Sequence, residues 1–267
     1  MKKYLSFFRL RFLMGLQYRV AALAGIATQF AWGFLQIMAF KAFYETDPSA
    51  YPMTFQASVS YIWLQQAFLA FFASWMVDSE LFDMILNGNI AYELCRPIRI
   101  YSIMASRNLA NRVSRAVLRC SPILVVAFFL PKPYRLGAPF SVVHFLLFLV
   151  AMVLGLFVSV AFFMFVYVLA FYTISPQGLR IVFVSLVEYL SGGVIPLPFF
   201  PEKVLRVVEL LPFAAMQNVP LRIYGGDMEG AEMLRALGLQ LFWLVALVAI
   251  GSALCRKAER RVALQGG

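Results

Sequence analysis

The chain has 267 residues, of which 62% are hydrophobic and only 13% charged, and its mean hydropathy is +0.80. A soluble domain carries about 25% charged residues, so the composition describes one membrane domain and leaves no room for a soluble domain beside it. The net charge of +10 does not point to nucleic acid, because the basic residues flank apolar runs as the cytoplasmic ends of membrane spans do.

In chain order, residues 4–18 come first. Leu5, Phe8, Phe12 and Leu16 fall near one helical face, with Lys2, Lys3, Arg9 and Arg11 mostly elsewhere. This is the pattern of an amphipathic helix lying on the inner leaflet, or of an elbow packed against a partner subunit. The basic N-terminus lacks a small-residue cleavage site and is expected to be retained.

A helix needs about 20 apolar residues to cross a bilayer. Six segments are read as spans: about 20–41, 57–78, 108–130, 140–172, 177–195 and 235–255, the third reaching back to Asn108 because only Cys120 to Pro131 is free of charge. "PSAYPM" marks a turn before the second. The third carries Arg112, Arg115 and Arg119, whose i, i+3, i+7 spacing puts them on one helical face. Those arginines could extend the helix into the cytoplasm, snorkel to headgroups or face a partner. The fourth reads as one long, tilted helix, since no Pro, Asn or Asp near Gly155 would turn it. The fifth holds Glu188. Three roles fit that acid: substrate contact, an ion pair with Arg180 or another helix, or a place near the outer interface.

Lys and Arg set the orientation. Sixteen of the 23 fall in the N-terminal segment, the 79–119 stretch, the turn at Arg180 and the C-terminal tail, leaving seven for the other side. Both termini are therefore expected in the cytoplasm.

The one sizeable cytoplasmic connection is residues 79–107. Leu81, Phe82, Met84, Ile85 and Leu86 suit a short helix, Asn87-Gly88-Asn89 a turn, and Ile90, Tyr92 and Leu94 alternate with smaller or polar residues before Arg96-Pro97 stops the pattern. Its apolar residues need cover, from their own bundle or from a soluble partner.

On the outer side, "SGGVIPLPFFPEKVLRVVELLPF" concentrates breakers. Gly192 and Gly193 after Ser191 end a helix or let backbones approach closely. Pro196, Pro198 and Pro201 forbid its continuation. Residues 202–211 recover about three helical turns, with Val204, Leu205, Val208 and Leu211 on one face, until Pro212 stops them. A second short piece follows. Neither can span, so the segment is expected to enter the outer leaflet and turn back, covered by protein or water.

Catalysis has little to work with. Cys95, Cys120 and Cys255 are far apart, and His144 is the one histidine, so no metal or disulfide framework is expected. No glycine precedes a lysine, which excludes a phosphate-cradling P-loop.

The run "SGGVIPLPFFPEKV", "LLPF" and "VPLRIYGGD" resembles the C-terminal region of type-2 ABC exporter permeases, and "GNIAYELCRPI" looks like a cytoplasmic loop of that class. The resemblance covers nearly the whole chain. It implies an all-α membrane fold with an elbow helix, six spans and re-entrant outer helices before the sixth. It also implies that an ABC ATP-binding subunit, holding ATP and Mg, docks on Gly88 to Pro97. Leu81, Phe82, Ile85, Gly88, Asn89, Tyr92, Leu94, Arg96 and Pro97 are the expected contacts. A second permease copy, identical or homologous, would complete a transporter in a bacterial plasma (inner) membrane. Glu188 matches no functional position of the class. The alternative is an ion-coupled secondary transporter or channel, which needs more ionisable groups within spans than Glu188 and the arginine face.

Overall fold

Eleven α-helices and two short 3-10 turns make up the described residues, which include no strand. A computed structural model describes residues 2–75, 77–87, 89, 90, 92, 98–173 and 175–265, with the side chains of 50, 86 and 261–265 not among them. The expected contacts Gly88, Leu94, Arg96 and Pro97 lie outside the described residues.

Helix α1 (Lys2–Leu16) packs chiefly on α6 (Ile100–Phe129). Gly15 makes the approach close: a Cβ there would lie 2.2 Å from Ser114 Oγ. The face expected to meet the inner leaflet or a partner subunit is divided: Phe8, Phe12 and Leu16 are half-buried along this chain's own bundle with Tyr4, Phe7 and Arg11, while Leu5 is 69% exposed. Tyr4 also accepts a hydrogen bond from the Arg99 backbone N–H at 3.0 Å.

Among the described residues, helix α2 (Arg19–Thr46), α7 (Val142–Ala170) and α11 (Gly230–Gln265) are the three helices long and apolar enough to cross a membrane by length and composition. The expected six segments therefore divide three and three. The second is helical over α3 (Phe55–Ala67) and α4 (Leu69–Phe72) and then stops. The third is continuous as α6 but carries its arginines. The fifth, α8 (Pro176–Leu190), has 15 residues, about 22 Å of helix against a hydrocarbon core of about 30 Å. The fourth is one unbroken helix of 29 residues, as read from the absence of breakers.

Helices α3 and α7 form the centre. Every residue of α3 from Ser58 to Ala67 is buried, enclosed by α2, α6 and α10 (Asn218–Gly225). Lipid tails are as apolar as leucine, so helices in a bilayer associate through close packing and polar contacts rather than the hydrophobic effect. Both devices are present: Gly33 lets the Trp63 ring approach, and Gln29 Nε2 donates to Gln66 O at 2.9 Å. Exposed apolar side chains such as Leu35, Val153 and Val245 form the outer surface.

Candidate functional site

The second apolar segment breaks halfway along its length. Phe68 (φ −102°, ψ 15°) ends α3, α4 adds one turn, and Ala73 (φ −51°, ψ 120°) leaves the helix. A helix end leaves carbonyls without intrahelical partners, which a buried site must satisfy from elsewhere. Arg112 does this. It is 3% exposed; its Nη1 donates to Phe71 O at 2.7 Å and Ala73 O at 3.3 Å, and its Nε to Asn108 Oδ1 at 2.8 Å. Its guanidinium carbon lies 4.7 Å from the Phe163 ring centre, a cation–π contact. Beyond the break, the Ser74 hydroxyl donates to the Glu188 carboxylate, and the Asp78 backbone N–H donates to the Tyr167 hydroxyl at 2.7 Å. Glu188 thus bonds to a serine of the broken segment.

The segment after α8 returns into the molecule. Gly192 (φ +83°) supplies the left-handed residue that ends α8, and Gly193 N–H reaches back to Glu188 O at 3.1 Å; this is a Schellman ending. Buried Ser191 accepts from Gln217 Nε2 at 3.2 Å. Gln65 donates to Gly193 O, and the Tyr61 hydroxyl lies 3.4 Å from Gly192 O and 3.3 Å from Asn218 Oδ1. Pro196 and Pro198 open the 3-10 turn Leu197–Phe199, and Pro201 caps α9 (Glu202–Val208). Helix α9 is shorter than the expected 202–211, because Pro212 cannot donate and its ring opposes a helical residue four positions earlier. Of its expected apolar face, Val208 is buried and Val204 is 45% exposed.

From Pro212 to Tyr224 every residue is buried. The Met216 carbonyl rests on Gly155 at the middle of α7, where a Cβ would come within 2.1 Å of it. Gln240 of α11 fixes this depth, its Nε2 donating to Ala151 O at 3.1 Å and Ala215 O at 2.8 Å. Farther along, buried Arg222 gathers Glu209 (2.5 Å), Asp227 and Glu232 (3.4 Å). Burial works to lower the Arg222 pKa, but the three carboxylates outweigh it and hold the guanidinium above its usual value.

A family model described as ABC-2 family transporter protein matches residues 30–266. The chain belongs to the ABC-2 transporter family. No curated relative matches it. Membership makes it a multi-pass membrane component of an ABC transporter and implies association with an ABC ATP-binding subunit.

In this ABC-2 family member the segment that begins the expected partner loop is anchored at its base. Asp78 caps α5 (Ser79–Leu86) by accepting from Leu81 N at 3.2 Å. The same carboxylate accepts from Arg107 Nε at 2.6 Å, Arg107 Nη2 at 3.0 Å and Asn111 Nδ2 at 3.3 Å, and Arg107 also pairs with Glu80. Of the expected contacts, Leu81, Phe82 and Ile85 are already covered within the chain, Phe82 against Tyr167 with ring centres 5.0 Å apart. Asn89 and Tyr92 are exposed, Tyr92 at 76%, beside the outward Glu80, Asp83 and Asn87. The three arginines of α6 have different surroundings: Arg112 is inside, Arg119 is half-buried beside Gly25, and Arg115 is exposed.

Sequence reasoning missed the neutral polar set Tyr61, Gln65, Gln217, Asn218 and Gln240. The available signal was glutamine within otherwise apolar runs. Among the described residues no three His, Cys, Asp or Glu side chains gather as a metal site.

Proposed function

We propose that the chain is the membrane-spanning permease subunit of an ATP-driven exporter, crossing the plasma (inner) membrane of a bacterium six times with both termini cytoplasmic. A separate ATP-binding subunit, which holds the ATP and Mg, docks on residues 79–107. A second permease, identical or homologous, completes the pathway, and exposed Ile181, Val182 and Tyr189 of α8 offer it an apolar face. The buried returning segment from Ser191 to Tyr224 acts as the outer gate.

The observation that carries this reading is α5. Its apolar side is closed inside the chain while Asp83, Asn87, Asn89 and Tyr92 around it point outward, as a docking knob requires. Its base is tied through Asp78 and Arg107 to α6, so a push on the knob reaches the bundle. Coupling needs the knob to contact the ATPase differently in two states. The Lys and Arg distribution supports the orientation.

The test is co-purification. The ATP-binding subunit comes down with the wild-type chain and is lost with Tyr92→Asp, Leu94→Asp. Uphill transport by the purified chain without any ATPase overturns the proposal.

A further inference from the structure

A cavity of about 450 Å³ opens between α1, α2 and α6 at the end of the bundle that holds α5. Its charge is unbalanced. Arg11, Arg107, Arg115 and Arg119 line it against two acids, Asp78 and Glu80. Those acids are engaged by Arg107, which both of them bond. Among the described residues, Arg11, Arg115 and Arg119 have no carboxylate partner. Arg115 and Arg119 stand one turn apart on α6, a like-charge spacing that destabilises a helix unless an anion bridges it.

Two features show that the site is shaped around these cations. Arg119 Nε is buried without a hydrogen-bond partner. Its guanidinium lies over Gly25 of α2, where a Cβ would come within 2.6 Å of Cζ. The absent side chain at Gly25 therefore admits the arginine head. Arg11 lies against the Phe7 ring, 5.5 Å from its centre, at the edge of the same cavity. The rest of the wall includes Met14, Tyr18 and Leu118, and the neighbouring Val20 and Leu23 are 82% and 66% exposed. An anionic head beside an exposed apolar stripe has the chemistry of a phospholipid.

We propose that this cavity binds the phosphodiester headgroup of an anionic lipid, with Arg115 and Arg119 holding the phosphate and Arg11 of α1 closing over it. Placing the lipid in the inner leaflet rests on the topology proposed above; binding itself does not. The lipid ties α1 to α2 and α6 and completes the wall of the bundle there.

Native mass spectrometry of the detergent-purified chain, titrated with phosphatidylglycerol and with phosphatidylcholine, tests this. Phosphatidylglycerol is retained at least roughly tenfold better than phosphatidylcholine, because its net negative charge meets the unpaired arginines. Arg115→Gln, Arg119→Gln reduces its retention to the phosphatidylcholine level, while the charge-preserving Arg115→Lys, Arg119→Lys keeps most of it. Arg206→Gln, on α9, changes nothing. Equal retention of the two lipids by the wild type, or a preference that survives the double Gln variant, overturns the proposal. Displacement of the lipid by millimolar inorganic phosphate overturns the lipid assignment in favour of a free phosphate. Because the measurement is made in detergent, it stands apart from the topology, which labelling of a Lys3→Cys variant from each side of the membrane decides.

Discussion

Arg112 Nη1 lies 2.7 Å from the carbonyl oxygen of Phe71, in the last helical turn before the second apolar segment unwinds. That bond joins α6 to the end of α4 and replaces the intrahelical partner that Phe71 lacks. Replacing Arg112 with Ala strips the donor from Phe71 O, Ala73 O and Asn108 Oδ1 at once. Each buried polar group left unsatisfied costs about 1–3 kcal/mol. Arg112→Ala is expected to lower the unfolding temperature of the purified protein by at least about 6 °C. Arg112→Lys should fall between, since an ammonium keeps the charge but not the planar stack on Phe163. Unchanged melting in Arg112→Ala would show that the break is held by other contacts.

Gly192 and Gly238 make an internal comparison. Gly192 is left-handed, and a Cβ there would meet the Tyr61 hydroxyl at 2.4 Å; Gly238 has nothing within 4 Å. Gly192→Ala is expected to destabilise by about 1–2 kcal/mol from backbone strain alone, more with the clash. Gly238→Ala should be neutral or stabilise by up to about 1 kcal/mol. Thermal unfolding of the two variants side by side checks the contrast, and equal effects would contradict the turn geometry.

Gln240 holds the returning segment to α7 and α11 through two carbonyls. Interhelical hydrogen bonds in bilayers are worth about 0.6 kcal/mol on average and up to about 1.7. Gln240→Leu keeps the volume and removes both bonds, so a small loss of stability is expected. The sharper readout is depth. In Gln240→Leu, a cysteine at Ala215 should become more reactive to a water-soluble maleimide than in a Gln240 background.

Arg222 is the hub of the charge cluster, and its three partners differ in exposure. The side chains of Asp227 and Glu209 are 15% and 31% exposed, that of Glu232 52%. Arg222→Met strands two shielded carboxylates, and a loss of about 3 kcal/mol is expected. A double-mutant cycle of Arg222→Met with Glu232→Gln should give a coupling below about 1 kcal/mol, as for exposed pairs. A larger value would mean that Glu232, not Asp227, fixes the start of α11.

Much of the helical layout was legible because charge-free runs and breakers act locally. The run expected at 140–172 is α7, and the Gly-Pro cluster after Ser191 ends α8 where a left-handed residue is needed. The break after Phe72 was not legible. "YIWLQQAFLAFFASWMV" contains no Gly, Pro or charge, so nothing local ends that helix. What ends it comes from elsewhere in the chain: a buried arginine on α6 for the carbonyls, and serine and tyrosine contacts for the residues beyond. Periodicity put Arg112, Arg115 and Arg119 on one face but not in one environment, because burial depends on which neighbour each reaches along the helix. The apolar run at Leu81, Phe82 and Ile85 announced a buried side. It did not say that Tyr167 of the same chain covers it.

Residues 73–75, 77 and 78 join α4 to α5 without helix. A continuous rod would transmit thrust from α5 in either direction. A short non-helical tether behaves asymmetrically: it goes taut when drawn and yields when compressed. Withdrawal of α5 from the bundle would therefore tug Ser74 away from Glu188, whereas an inward shove would bypass the tether and pass through Asp78 and Arg107 into α6.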